Sequence, residues 1–125
     1  MRFDGFAAYQ LWRDAFESEN ISPGHSHHHA ETLRDRRLTA AAYLRELVTL
    51  LPEATEPLEA GAAHYDRELE SLNPLYDLCA EARKIEAWRA EDRADASRLI
   101  GEALKADREA IASIESALAL IDESQ

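Results

Sequence analysis

The residues with the most obvious capacity for chemistry are the histidines of His25-Ser26-His27-His28-His29, followed by Glu31. Neutral imidazoles bind Zn²⁺ or Ni²⁺, and Glu17, Glu19 or Glu31 could complete a coordination sphere. Consecutive histidines cannot all face one ion from a single helix face, so a loop is the permissive setting for such a site. The plain alternative is a polar linker. His64 stands one helical turn before Glu68, with Tyr65 and Tyr76 nearby on the same segment, a spacing that could orient a base. Cys79 is the single cysteine; it closes an apolar stripe and reads as a small buried hydrophobe. The Glu-x-x-His pairs of di-iron bundles, the His-Glu-x-x-His of zinc peptidases and a Gly-rich phosphate loop are all absent from the sequence. No catalytic constellation is complete, which points away from an enzyme.

Aromatic residues form the second candidate. Phe6, Tyr9, Trp12 and Phe16 recur at three- and four-residue steps, with Phe3 ahead of them. Such a face fills a small core or receives a partner or small apolar ligand. Tyr65, Tyr76 and Trp88 extend the aromatic set along the chain. Asp107 interrupts an otherwise apolar stripe; facing the core it needs a cation, and Arg34, Arg37 or Arg67 can supply one.

These residues need elements to hold them. The first aromatic stretch predicts a helix over about 4–18, with Asp4 as its cap. Asn20-Ile21-Ser22-Pro23-Gly24 then breaks the pattern, and the segment through His29 reads as a loop. A second helix, starting between Ser26 and Thr32, runs to Pro52 with Leu33, Ala40, Leu44, Leu47 and Leu51 on its apolar side. A third starts at Thr55-Glu56-Pro57, with Thr55 the candidate cap. Leu58, Ala62, Tyr65, Leu69, Leu72, Tyr76 and Cys79 hold phase across Asn73-Pro74, which predicts one long helix bent near Pro74 and reaching about Cys79. The fourth begins near Lys84 or Asp92 and ends at about Asp122, with Ile100, Leu104, Ile111, Ile114, Leu118 and Ile121 in heptad-like register. The expected fold is all-α: one domain over residues 1–125, an antiparallel four-helix bundle of three long helices and one short N-terminal helix.

Composition agrees. The 125-residue chain is 46% hydrophobic and 31% charged, with only four Gly and four Pro for turns. Its formal charge is −11, with both halves acidic, a balance that repels phosphate backbones and anionic lipid and argues against nucleic-acid and membrane binding. A lone cysteine, no leader-like apolar run after Met1 and no stretch of 18 apolar residues together predict a cytoplasmic protein.

Three stretches carry a resemblance: Gly5-Phe6-Ala7-Ala8-Tyr9-Gln10-Leu11-Trp12, Ala40-Ala41-Ala42-Tyr43-Leu44-Arg45-Glu46-Leu47, and Ala62-Ala63-His64-Tyr65-Asp66. Together they resemble the helical C-terminal region of butirosin biosynthesis H-like proteins, whose N-terminal region is papain-like. The resemblance implies a helical accessory module. The Cys and His that serve catalysis in such a family lie in the region this chain does not contain, and Cys79 matches neither.

The expected function is a non-enzymatic module that binds a protein partner, a second copy of itself or a small apolar ligand, with Phe6, Tyr9, Trp12, Phe16, Tyr65, Tyr76 and Trp88 as its binding residues. The competing expectation is a metal-binding or metal-sensing bundle using His25, His27, His28 and His29.

Overall fold

A computed structural model describes residues 5–17 and 22–123, with side chains of the first helix described from Tyr9 to Phe16. Among these residues the protein is all-α. The helices are α1 (Gly5–Glu17), α2 (Pro23–Leu50), α3 (Thr55–Ile85) and α4 (Ala90–Glu123), with a single 3₁₀ turn at Pro52–Ala54.

The chain that was expected to form a loop through His29 is helical from Pro23. The physical reason is a cap. Ser22 holds an extended backbone (φ −81°, ψ 128°), and its Oγ accepts from the His25 amide at 3.5 Å. Pro23 sits at the start of the helix, where its missing N–H leaves no bond unmade. Ser-Pro-Gly therefore opens a helix instead of breaking one. Leu51 and Pro52 end α2, since proline disfavours helical backbone in the residue before it.

α3 runs unbroken through Pro74 to Ile85, six residues beyond the expected end at Cys79. The bond that Pro74 cannot make is the one to the carbonyl of Glu70, and both residues lie on the exposed side, where water can satisfy that oxygen. Leu72, Leu75 and Cys79 hold the opposite side buried. At the other end Thr55 is not the cap: Ala54 is, and the Thr55 hydroxyl donates to the Pro52 carbonyl at 2.9 Å. Glu86, in left-handed conformation (φ 53°), stops α3 with the Ala87 amide bonding back to the Ala82 carbonyl at 3.2 Å. α4 follows after three more residues. The expected cap at Asp4 lies outside the described residues.

α2 packs along α3, α3 along α4, and α1 along α4, while the α2 and α4 backbones stay apart. Gly61 lets α2 and α3 close up, because a Cβ there would stand 3.1 Å from Leu44 Cδ1. The core divides in two. One cluster gathers Tyr9, Trp12 and Phe16 of α1 with Leu72, Leu75, Cys79, Leu99, Ile100 and Leu104. The other, without α1, gathers Leu44, Leu58, Tyr65 and a set of alanines, and its large aliphatics Leu47, Val48, Leu51, Ile114 and Ile121 are only partly buried.

Candidate functional site

Between the two clusters lies a layer of polar side chains, one from each helix, buried except for the part-buried Arg37. The Tyr9 hydroxyl of α1 donates to Glu68 Oε2 of α3. Arg37 of α2 shares its Nε–H between Glu68 Oε2 and Asp107 Oδ1 of α4, each at 3.0 Å. Glu68 is fully buried and Asp107 nearly so. The polar break at Asp107 is thus paired as the sequence required, with Arg37 the partner among the three candidates.

Burial, then the facing Asp107, pushes the Glu68 carboxyl up to about 8, against the opposing pull of Arg37 and the Tyr9 hydroxyl. Glu68 Oε1 is buried with no donor facing it, a costly state for a carboxylate oxygen. A proton on that oxygen turns it into a donor and leaves a single carboxylate, Asp107, against the Arg37 guanidinium. Burial above all, then Glu68, raises the Tyr9 phenol well beyond its ordinary range, so it stays a donor. With that proton on Glu68 in place the layer is a charge-balanced network. None of its four side chains lines the surface recesses described below.

The raised carboxyl has a consequence for stability. Because Glu68 binds its proton more tightly folded than unfolded, the stability it contributes is full below about pH 4.5 and is lost as pH rises through about 8. Wild type is expected to lose stability relative to Glu68→Gln across that window, by at most about 1.4 kcal/mol per pH unit. Urea melts of both proteins from pH 5 to 9 measure the difference, and a constant gap would show that Glu68 is ionised throughout.

The histidine tract occupies the first two turns of α2 and is spread around it. His29 meets the Trp12 ring edge-on at 4.5 Å, His27 lies against Tyr76 at 4.7 Å, and His28 is exposed. His25 and His29 border a shallow recess of about 420 Å³ with Leu11, Trp12 and Ala15. Burial, with help from His25, Arg36 and His28, holds the His29 imidazole below its usual range, the neutral form suited to packing on an indole. Glu31 faces the Tyr76 hydroxyl at 3.5 Å. Among the described residues no three or more His, Cys, Asp or Glu side chains converge on a point where a metal could sit. Glu17 and Glu19 side chains lie outside the described residues.

The remaining candidate residues are scattered. Tyr9, Trp12 and Phe16 are buried in the α1 cluster, and Trp88 crosses the Phe16 ring at 4.8 Å. Tyr65 is buried in the other cluster, with the Arg37 guanidinium 5.9 Å from its ring centre. Tyr76 is half-buried beneath Arg34, whose guanidinium stacks 4.1 Å from the ring centre. The Phe3 and Phe6 side chains lie outside the described residues. His64 and Glu68 do not meet: His64 faces Glu109 of α4, Nδ1 to Oε2 3.1 Å, while Glu68 is taken by the buried layer. Burial lifts the Cys79 thiol to about 12, which leaves it un-ionised and inert at neutral pH. A recess of about 570 Å³ beside Pro74 is bordered mainly by carboxylates, with Arg98 among them.

The feature that residue-by-residue reading misses is the other half of the bundle. α1 has 13 residues and spans about 20 Å, against about 50 Å for the 34 residues of α4. It meets α2 through Trp12 and His29 and α4 through Arg13, whose Nε lies 3.4 Å from Ser97 Oγ. Heptad steps continue both lines past the end of α1: His29, Arg36, Tyr43, Leu50 on α2, and Ser97, Leu104, Ile111, Leu118 on α4. Beyond the described residues of α1, Tyr43 is 59%, Leu50 71% and Leu118 55% exposed.

No family model, curated protein or solved structure matches the chain.

Proposed function

We propose that the chain is a helical interaction module whose docking surface is the open flank between the second halves of α2 and α4. In this reading the fold is an antiparallel four-helix bundle with its fourth position half filled. α1 fills one half and a partner helix fills the other. The observation that carries it is the set of large aliphatics beyond the described residues of α1, Leu47, Leu51, Ile114 and Ile121, which are only partly buried. Tyr43 and Leu50 of α2 and Leu118 of α4 add exposed apolar side chains on the same two helices. The resemblance to the helical region of butirosin biosynthesis H-like proteins fits an accessory role of this kind, beside a catalytic domain.

The test separates docking leucines from core leucines. Leu50→Glu/Leu118→Glu is expected to melt within a few degrees of wild type, since exposed positions contribute about 0.5 kcal/mol or less. It is also expected to lose most of the fluorescence of an anilinonaphthalene dye bound by wild type. A variant that unfolds, or that binds dye as well as wild type, would remove the flank as the docking surface. Among the described residues no helix is long and apolar enough to cross a membrane.

A further inference from the structure

The charge around the open flank says what kind of helix fits it. The second core cluster places the C-terminal ends of α2 and α4 at one pole, with the 3₁₀ turn between α2 and α3 beside them. The segments that build this pole, residues 43–63 and 108–123, contain eight carboxylates against two basic residues, Arg45 and Arg108, and Arg45 is paired with Asp66. Glu109 is engaged by Arg67 and His64, and Glu115 has an interaction of its own. Glu46 and Glu53, both exposed, lie at the α2 end of the flank, and Glu115 and Asp122 continue the α4 side one turn from Ile111 and Leu118. Helix C-termini carry partial negative charge, and neither α2 nor α4 has a basic residue in its last turn to offset it.

We infer that the occupant of the flank is a basic amphipathic α-helix of another protein, about 14 to 18 residues long, its apolar stripe on Tyr43, Leu50, Ile111 and Leu118 and its Lys or Arg residues over the acidic rims. This inference rests on the docking surface proposed above and adds the partner's chemistry to it. A second copy of this chain is the poorer occupant, because it would bring a net charge of −11 to an acidic pole. Ion pairs along the rims set partner choice and approach rate, while the apolar side chains hold the helix in place.

The test uses three synthetic 18-residue peptides with one apolar stripe and flanking positions filled by Lys and Arg, by Gln, or by Glu. Their fluorescence anisotropy is titrated with the full chain at physiological salt. The basic peptide is expected to bind at least tenfold more tightly than the Gln peptide, with the Glu peptide weakest and the gap narrowing as salt rises. Leu118→Glu is expected to abolish binding, and Leu38→Glu, exposed elsewhere on α2, to leave it unchanged. Equal binding of all three peptides, each lost in Leu118→Glu, would overturn the charge inference and leave the flank standing. Binding unaffected by Leu118→Glu, or no binding at all, would overturn both. A dimer in light scattering that Leu118→Glu dissolves would identify a second copy as the occupant and overturn the inference.

Discussion

Arg37→Met is expected to destabilise the protein by about 3–5 kcal/mol, the loss typical when one partner of a buried ionic group is removed. The side chain keeps its length and apolar stem, so packing changes little. The charge is what disappears. Arg37 donates to both Asp107 and Glu68 from a single Nε–H, at 3.0 Å to each. Without it two buried carboxyls face each other, and one must take a proton or draw in water. For a chain of this size, a loss of that magnitude lowers the melting midpoint by roughly 10–20 °C. The deficit grows with pH, since deprotonating Glu68 without Arg37 nearby is costlier still. Replacing Arg37, Glu68 and Asp107 together by Met, Met and Leu is expected to restore most of the stability, as buried ionic groups often trade evenly against apolar ones. A loss under about 1 kcal/mol in Arg37→Met, measured by urea denaturation at pH 7, would mean that water already solvates the layer.

The second large effect is expected at Phe16. Its side chain is 2% exposed and lies between Trp12, 6.1 Å away, and Trp88, 4.8 Å away. Phe16→Ala removes a ring from the junction of α1 with the α3–α4 connection and leaves a cavity, at a cost of about 3–5 kcal/mol. Trp12 and Trp88 both border the lesion, so their fluorescence should shift to longer wavelength as α1 loosens. Affinity of the folded fraction for a helix on the open flank should be unchanged, because that flank is built from the other core cluster. Wild-type stability with weakened partner binding would reverse the assignment, making Phe16 a contact residue and not a core residue.

What was legible in the sequence was periodicity. The apolar stripe of α3 predicts a single helix through Pro74, and the helix is there because the proline falls on the wet side of that stripe. The need of Asp107 for a cation is equally legible, since a polar break in a buried heptad line has few solutions. Glu68 as the second carboxyl was not: it follows Arg67 and precedes Leu69, and only the crossing of four helices decides which of these charges points inward. The start of α2 was misread because Pro-Gly signals a turn in most settings, whereas here Ser22 makes it a cap. The same error placed the histidines in a loop. On a helix they diverge by about 100° per residue, which sends His27 to Tyr76 and His29 to Trp12.

The docking flank was legible in half. Ile111 and Leu118 read as core because they keep heptad register with Ile100 and Leu104, and register alone does not say how far α1 reaches. The 13 residues of α1 decide that, through the helix rise. The aromatic face of α1 was the natural choice for a binding surface. Its described members Tyr9, Trp12 and Phe16 are buried in the first core cluster.

One measurement bears most directly on the open flank as the docking site: the amide spectrum of ¹⁵N-labelled chain titrated with the basic amphipathic peptide. The account predicts that the largest shifts fall in residues 40–51 and 108–121, with the amides of His25–His29 and those around Pro74 little changed. Shifts centred on the histidine recess or on the carboxylate recess beside Pro74 would place recognition elsewhere and contradict it.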